Sequence, residues 1–413
     1  MVPNGWELNN LGRLATKIGS GVTPKGGSNA YKLSGIPLIR SQNVLWGSLD
    51  LSDVAYIDED QHKKMKGSIV YKNDVLLNIT GASIGRSAVS HLNEANVNQH
   101  VCIIRSDALE PEYLKSFLLS FYGQKQIEQF QAGGNRQGLN FEQIKSFKLP
   151  VPPLPEQQKI ALILSTWDKA ITTTEKLIET SKQQKKALMQ HLLTGNKRLV
   201  NPDTGMVFEG DWEEVRLGDI TQFIKDGTHG THQRYESGVP MLSATNITKA
   251  HTINFSDAPY ISEEDYKKIH AKYTIENGDI LLTVVGTLGR VAIVHTDCKF
   301  TLQRSVAILR VNDVTSNQFL KQVISSTSFG HVLQNKSNST AQAGVYLGEL
   351  SKIKLNLPTY EEQQKIASVL TAADKEIELL QAKLAHFKDE KKALMQQLLT
   401  GKRRVKVEDV QAA

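Results

Sequence analysis

The sequence of 413 residues is poor in cysteine and contains no long apolar segment. Its two cysteines, Cys102 and Cys298, occupy non-equivalent places in the internal repeat described below. We therefore expect two interior thiols and no disulfide or metal site. No apolar run reaches the roughly 18 residues of a membrane-spanning helix. The N-terminal MVPNGWELNNLG also lacks the basic and then apolar segments of a signal peptide. These absences favour a cytoplasmic protein with no membrane association.

The motifs of several enzyme classes are also missing. There is no G-x-x-x-x-G-K-[ST] loop for ATP hydrolysis and no H-E-x-x-H zinc motif. The eleven histidines are scattered, and the close pair His229 and His232 is better explained by a solvent-facing or DNA-facing loop than by a metal site. An amino-methyltransferase would carry [DNS]-P-P-[YFW], which VPPL at 151–154 does not match. We therefore predict no catalytic residue, no bound cofactor and no metal on this chain.

The composition itself is balanced, with an excess of basic residues. Hydrophobic residues make up 40% of the chain and charged residues 22%, which is typical of a globular protein with a buried core. The net charge of +6 and the pI near 9.0 favour an acidic partner. Nucleic acid is the commonest partner of this kind.

The chain is an internal repeat with a period of 206 residues. KKALMQHLLTG at 185–195 matches KKALMQQLLTG at 391–401 at ten of eleven positions, and PEQQKIA and EEQQKIA keep the same interval. Trp6 and Trp212 keep it as well. Weaker matches between these anchors include GIPLIRSQNV with GVPMLSATNI, and NDVLLNITGASIGR with GDILLTVVGTLGR. Each repeat therefore consists of a divergent module of about 150 residues and a nearly invariant helical segment.

The invariant segment has the period of a coiled-coil helix. Apolar or small residues recur in steps of four and three over about four to five heptads in each copy. Pro155 and Pro358 precede the two segments, and Gly195 and Gly401 follow them, as is typical of helix starts and ends. An ordinary long core helix is the alternative interpretation.

The connector between the repeats indicates how the two helices pair. A helix of about 33 residues would be about 50 Å long. The connector at 197–211 contains Pro202 and Gly205, and it could return that distance only if it were nearly fully extended. We therefore expect the second helix to run antiparallel to the first. The two modules would then be held apart by a two-helix rod and related by a pseudo-two-fold axis.

Each module alternates short apolar runs with turn residues and then continues into helical stretches, a pattern that favours an α+β unit. The predicted fold class is therefore α+β, a tandem pseudo-two-fold repeat of two α+β modules separated by an antiparallel two-helix coiled coil. The predicted boundaries are residues 1–153 for the first module, 154–196 for the central helical spacer, 197–211 for a linker, 212–357 for the second module, 358–402 for the C-terminal helical spacer and 403–413 for a basic, flexible tail.

Polar, basic and glycine-containing loops interrupt the modules and differ between the two copies. Their side chains are of the types that hold phosphates and read base edges. One such loop alone is only a solvated turn, but two modules with divergent loops on one scaffold suggest two targets at a fixed separation. Arg86 and Arg290 could contact phosphate or form surface salt bridges. The residues that we predict to bind DNA are Lys25, Arg40, Gln42, Asn43, Arg86, Gln99, His100, Asn135, Arg136, Gln137, His229, His232, Arg234, Thr245, Asn246, Arg290, Gln303, Arg304 and Gln342.

Taken together, these motifs resemble the specificity (S) subunit of type I restriction-modification enzymes. The resemblance covers essentially the whole chain. It is carried by the paired W-x5-G openings, by the module motifs above, and by LPVPPLPEQQKIA and LNLPTYEEQQKIA before helices that end in LLTG. It implies two target-recognition domains, each reading one half of a split sequence in double-stranded DNA, with a gap set by the rod. It also implies two modification subunits docked along the helices, which carry S-adenosylmethionine and methylate adenine. Restriction subunits with an ATP-driven, Mg-dependent motor and nuclease would complete the complex.

Two other functions stay open at this point. A coiled-coil scaffold whose modules bind proteins or anionic polymers would tolerate divergent basic loops without requiring them. A DNA methyltransferase in its own right is disfavoured by the missing catalytic turn.

Overall fold

The computed structural model of the chain describes residues 2–24, 26–131, 138–337 and 344–407. The chain divides into two compact units, Met1–Lys176 with Gln381–Ala413 and Leu177–Leu380, which we call unit 1 and unit 2. Each unit therefore combines one predicted module with parts of both long helices. The sequence-based boundaries instead assign each helix to a segment of its own.

Unit 1 is built from short strands and helices that lead into a long helix. Its strands are β1 (Glu7–Asn10), β2 (Lys17–Ser20), β3 (Ile36–Ile39), β4 (Ala55–Ile57), β5 (Ile69–Tyr71), β6 (Val75–Asn78), β7 (Ser87–Val89), β8 (Glu94–Val97), β9 (Val101–Arg105) and β10 (Lys148–Val151). Its helices are α1 (Leu11–Leu14), α2 (Glu59–Lys64), α3 (Pro111–Leu119), α4 (Phe121–Gln131) and α5 (Phe141–Lys145), followed by α6 (Leu154–Leu192), which continues into unit 2.

The strands of unit 1 form an antiparallel sheet in the order β2-β9-β6-β7, a sheet in the order β4-β3-β8-β5 in which β3 and β8 are parallel, and a β1-β10 pair. Strand β6 is buried on both faces. Val75 and Leu77 pack in one apolar cluster, whereas Leu76 packs with Ala88 in another. Because both faces of the sheet are covered at β6, this strand is nearly a continuous apolar run and does not alternate with polar residues.

Unit 2 begins within α6 and repeats the same architecture. Its strands are β11 (Glu213–Arg216), β12 (Thr221–Asp226), β13 (Val239–Leu242), β14 (Tyr260–Ile261), β15 (Ile280–Thr283), β16 (Val291–Ile293), β17 (Thr301–Leu302), β18 (Val306–Val311) and β19 (Lys354–Leu357). Its helices are α7 (Glu263–Ile269), α8 (Asn317–Ile324), α9 (Thr327–Lys336), α10 (Leu347–Ser351) and α11 (Tyr360–Leu398), and α11 continues into unit 1.

The sheets of unit 2 correspond to those of unit 1. Their orders are β12-β18-β15-β16, β14-β13-β17 and β11-β19. The parallel contact between β13 and β17 takes the place of the contact between β3 and β8. The predicted tandem repeat of α+β modules is thus confirmed.

The long helices pair antiparallel within unit 1, as the length of the connector predicts. Leu164 of α6 packs with Leu398 near the end of α11. One turn later in α6, the ring of Trp167 meets the ring of Phe387, which lies earlier in α11, at 5.5 Å between centroids. The two chains therefore run in opposite directions along this contact.

The end of α6 and the start of α11 pair in the same way within unit 2. Leu192 packs with Ile366, and Lys185 Nζ lies 2.5 Å from Asp374 Oδ1. Each helix has 39 residues, more than the predicted length. In α6, part of the difference arises because Pro155, which the sequence predicts to precede the helix, lies in its first turn. Proline is tolerated there because the backbone N–H groups of a first helical turn have no acceptor within the helix, so the N–H that proline lacks costs no hydrogen bond. None of the helices in the described ranges is long and apolar enough to cross a bilayer.

The two cysteines are free thiols in different environments. Cys102 is buried in β9, and burial raises the pKa of its thiol to about 12. Cys298 is exposed, so the expectation of an interior position is wrong for this residue. It lies in a polar turn between β16 and β17, where its N–H donates to Thr296 Oγ1 at 3.1 Å.

Candidate nucleic-acid interface

Two chain crossings, one in each unit, position loops that carry several of the predicted DNA contacts. In unit 1, the segment after β2 passes over the turn between β8 and β9, and Gly21 N donates to Asn98 O at 3.2 Å. A Cβ atom on Gly21 would lie only 1.6 Å from Val97 O, so only glycine fits there. In unit 2, a Cβ atom on Gly227 would lie 2.1 Å from Leu302 O. The same close approach therefore fixes the loop after the second strand of each unit.

Sequence analysis missed these two glycines. A signal was present, because Gly21 and Gly227 are 206 positions apart, which is the interval of the repeat. They lie inside SGVTPK and DGTHGT, whose other residues differ between the copies. A glycine that keeps its repeat position inside a divergent loop indicates a backbone requirement.

In unit 1, the crossing brings predicted contacts into a chain of polar side chains. Thr23 Oγ1 donates to Gln99 Oε1, and Gln99 Nε2 donates to His100 Nε2 at 3.1 Å. The proton of the neutral ring is then on Nδ1, which donates to Thr80 Oγ1. Gln99 is exposed and His100 is half-buried. The structure therefore places the predicted residues Gln99 and His100 side by side at the surface.

Five of the predicted contacts cannot be assigned to this cluster or to any other. Lys25, Asn135, Arg136, Gln137 and Gln342 lie outside the described residues. Their role in DNA binding stays a prediction.

In unit 2, the corresponding loop at 227–234 borders a cavity of about 260 Å³. His229 Nε2 donates to Asp226 Oδ2 at 2.7 Å, and Thr228 Oγ1 is hydrogen-bonded to His232 Nε2 at 2.9 Å. The loop histidines are therefore engaged with neighbours of the same loop and strand. The cavity brings together the predicted contacts His229, His232, Arg234, Gln303 and Arg304.

Asn43 and Asn246, which we predict to contact DNA, are interior residues of their loops. Each ends a short 3₁₀ turn, Ser41–Asn43 or Ala244–Asn246, and is only 3% or 5% exposed. Asn43 Oδ1 accepts from Arg40 N at 2.9 Å, and its Nδ2 donates to Asp50 O at 3.0 Å. Asn246 makes the same two bonds, with Ser243 N and Asn254 O. These side chains therefore close their loops from within, and their contact with DNA stays a prediction.

The neighbours of these asparagines are more accessible. Gln42 is exposed, and its Nε2 donates to Asp53 Oδ2 at 2.8 Å. Arg40 is half-buried, and its Nη2 donates to Asp53 O at 2.8 Å. Thr245 is exposed in the corresponding turn of unit 2 and bonds to Ser243 Oγ at 2.8 Å. Among the predicted residues of these two turns, Gln42 and Thr245 are the ones placed to meet a ligand.

Arg290 supports a loop, and its contact with DNA stays a prediction. Its Nη1 donates to Ile247 O at 3.0 Å. In unit 1 the carbonyl at the equivalent position, that of Val44, accepts from Asn78 Nδ2 at 3.3 Å. The half-buried Arg86 occupies the place that corresponds to Arg290. The two units thus hold the same loop carbonyl with different donors.

His251, in the loop after Ile247, has a strained and poorly solvated environment. Its φ is +61°, which is uncommon for a residue other than glycine. Its Nδ1 is buried without a hydrogen-bond partner among the described residues. Burial lowers the pKa of the imidazole, and the positive charges of Lys321 and Lys185 lower it further.

We expect His251→Asn to reduce the acid sensitivity of unit 2. Because the pKa of His251 is lower in the folded chain than in the unfolded chain, the unfolded chain takes up this proton first as the pH falls from about 6.5. His251 therefore lowers the free energy of unfolding below that pH and has no such effect at pH 8. Between pH 8 and pH 5.5, the variant should lose roughly 2 °C less in Tm than the wild type. The exposed His331→Asn variant is the control, and an equal loss in all three proteins would contradict the assignment.

Catalytic and metal-binding groups were not predicted on this chain. In the ranges that the structure describes, no three or more His, Cys, Asp or Glu side chains are arranged to hold a metal ion. What the two loop clusters offer is amide, imidazole, hydroxyl and guanidinium groups on a fixed backbone. Such groups bind phosphates and the edges of bases.

Known proteins are similar to this chain in sequence and fold over most of its length. The type I restriction modification DNA specificity domain matches the chain twice, at residues 3–182 and 209–388. The MjaVIII specificity subunit of Methanocaldococcus jannaschii is 28% identical over 356 residues, which cover 83% of this chain and 81% of that protein. The EcoKI specificity subunit of Escherichia coli is 22% identical over 384 residues, which cover 88% and 81%. The solved S subunit from M. genitalium has the same fold, with a TM-score of 0.62 at 15% identity and with 97% and 98% of the two chains covered. The chain therefore belongs to the type I restriction-modification DNA specificity family.

Proposed function

We propose that this chain recognises a split sequence in double-stranded DNA and that each unit binds one half-site. The observation that carries the proposal is a constant frame with different side chains. In each unit two loops cross at a glycine, and this glycine occupies the same position in the repeat. At these crossings unit 1 presents Gln99 and His100, whereas unit 2 presents Arg234 and Arg304. One frame with two sets of polar side chains is what recognition of two different half-sites requires.

The proposed contacts are those predicted residues that reach the surface near the crossings or the neighbouring turns. The exposed or half-buried members of this set are Arg40, Gln42, Arg86, Gln99, His100, His229, His232, Arg234, Thr245, Gln303 and Arg304. The loops that carry these contacts are fixed by hydrogen bonds from Asn43, Asn246 and Arg290 to loop carbonyl groups.

The chemistry of modification and cleavage belongs to partner chains in this proposal. Two modification subunits with S-adenosylmethionine dock along the long helices and methylate adenine. Restriction subunits supply the ATP-driven motor and the Mg-dependent nuclease. The relatives in M. jannaschii and E. coli are specificity subunits of type I restriction enzymes, which supports this division. A cytoplasmic location, where the duplex substrate lies, is part of the proposal.

Methylome sequencing of cells that express this chain with its modification subunits tests the proposal. We expect one split motif with a methylated adenine. Replacing residues 212–357 with the corresponding segment of another family member should change one half of the motif and leave the other half and the gap unchanged. Absence of any split motif, together with gel shifts that do not depend on sequence, would contradict the proposal and favour a scaffold that binds polyanions.

The long helices are expected to set the gap between the half-sites. Removing one heptad from both helices at facing positions, 170–176 and 383–389, shortens the pair by about 10 Å, or about three base pairs of duplex. Both half-sites should stay the same while the gap changes by up to about this amount. The exchange variant with full-length helices is the control, and an unchanged gap would exclude this role of the helices.

A further inference from the structure

The cavity of unit 2 combines an apolar floor with polar side chains that are not used by the fold. Met241, Pro259 and Ile261 form the floor. Gln303 and Arg304 are held through their backbone N–H groups, which donate to Leu242 O at 2.8 Å and to Thr228 O at 3.1 Å. Their side chains line the cavity and form no hydrogen bond or ion pair with other described residues. This leaves their full hydrogen-bonding capacity for a ligand.

The loop over the cavity is fixed by other residues. His229 is bound to Asp226, and His232 is bound to Thr228 and lies 3.9 Å from Asp265 through its Nδ1. Arg234 follows these residues, is exposed and lines the cavity. Among the residues that the structure describes, no carboxylate lines the cavity, and the two aspartates instead lie against the histidines. The cavity therefore presents two guanidinium groups against no lining negative charge.

The corresponding place in unit 1 is internally satisfied. Gln99 and His100 occupy the repeat positions of Gln303 and Arg304. The Gln99 amide accepts from Thr23 and donates to His100, whose other ring nitrogen is bonded to Thr80. The two units thus differ in chemistry at this position: unit 1 has a series of mutually hydrogen-bonded side chains, and unit 2 has donors without partners among the described residues.

We propose that this cavity takes the edge of a guanine in the half-site of unit 2, with Arg304 as the principal donor and Arg234 beside it. The inference rests on the proposed function and names the base class that unit 2 requires. Guanine presents two adjacent acceptors, O6 and N7, in the major groove, and the guanidinium fork matches this pair. Adenine and cytosine would each place an amino donor against the guanidinium. The apolar floor suits an aromatic base better than a hydrated phosphate.

The test compares Arg304→Ala, Arg304→Lys and Arg234→Ala in the complex with the modification subunits, with methylomes sequenced for each. Arg216→Ala is the matched control, since Arg216 is an exposed arginine of β11 in the same unit. We expect Arg304→Ala to relax the requirement for guanine at one position of the half-site that the exchange of 212–357 assigns to unit 2. The preference should fall roughly 5- to 150-fold there. Arg304→Lys should keep guanine, because lysine also donates to O6 and N7.

Three outcomes would overturn the inference while the proposed function stands. The wild-type half-site of unit 2 could contain no G·C pair. The motif of Arg304→Ala could stay unchanged. Methylation by Arg304→Ala could fall equally at all sites, as expected for a phosphate contact. If methylation by Arg304→Ala is too weak to sequence, selection from a randomised duplex library measures the same preference, and the Tm confirms that the variant is folded. A wild-type complex without any split motif would instead refute the proposed function itself.

Discussion

Replacing Gly21 with alanine is expected to destabilise unit 1 by at least about 3 kcal/mol and to abolish binding of its half-site. The added Cβ atom would lie 1.6 Å from Val97 O and 2.6 Å from Val97 C, and these are backbone atoms that cannot rotate away. Val97 ends β8, which is paired with β3 and β5 and cannot shift alone. The loop after β2 must therefore lift from the crossing, which separates Thr23 from Gln99.

Gly19→Ala is the matched control for this prediction. Gly19 lies two residues earlier, in β2, and a Cβ atom there would meet nothing within 4 Å. This change should leave stability within about 1 kcal/mol of the wild type, because alanine costs less chain entropy than glycine. Denaturant unfolding of the two variants and their binding to a duplex with the methylated motif measure both effects. Similar unfolding and binding by both variants would refute the role of the Gly21 crossing.

The repeat, the strands and the antiparallel helices could be predicted because they depend on local periodicity and on chain length. The sequence alone shows the anchors 206 positions apart, the heptads and the short apolar runs. The crossings depend on which strands become neighbours. The parallel contact of β3 with β8 decides what lies beneath Gly21, and no local pattern encodes that contact.

The candidate site was predicted in part for a similar reason. A polar residue that persists in both copies, such as Asn43 and Asn246, can serve the fold or the ligand, and its type alone does not distinguish the two. Burial and two internal hydrogen bonds decide for the fold. Divergent residues at the same frame position, such as His100 and Arg304, are better candidates for recognition, because the fold tolerates either.

Trp6 and Trp212 were visible as repeat anchors, and their partners explain why they persist. Trp212 Nε1 donates to Glu362 Oε2 at 3.2 Å, and the same carboxylate accepts from Arg198 Nε at 2.6 Å and from Arg198 Nη2 at 2.7 Å. In unit 1 the partners of Trp6 are Glu156 and Arg404, in the same arrangement. Each unit therefore joins its module to its helices through one buried carboxylate.

Glu362→Ala is expected to destabilise unit 2 by about 2–4 kcal/mol. The Glu362 side chain is fully buried, and its removal leaves the Arg198 charge and the Trp212 N–H without their acceptor. In the wild type, hydrogen bonds that Arg198 donates to the Glu362 carboxylate raise the pKa of the guanidinium. A guanidinium keeps its charge at neutral pH even without such a partner, so Arg198 cannot avoid the loss in the variant by deprotonation. The Arg198 side chain is 21% exposed, so water recovers part of the loss, and the expected value lies below that of a fully buried pair.

Two variants make the measurement of Glu362→Ala specific. Glu361→Ala removes the exposed neighbouring carboxylate and should change stability by less than about 0.5 kcal/mol. Glu156→Ala makes the equivalent change in unit 1 and should cost less than Glu362→Ala, because the Arg404 side chain is 44% exposed and is better solvated once its partner is lost. Denaturant unfolding read by hydrogen exchange of peptides from each module reports on the two units separately. The loss of stability should be largest for Glu362→Ala, smaller for Glu156→Ala and smallest for Glu361→Ala, because this is the order of burial of the ion pairs. Equal losses for Glu362→Ala and Glu361→Ala would show that the Glu362 carboxylate does not join the module to the helices.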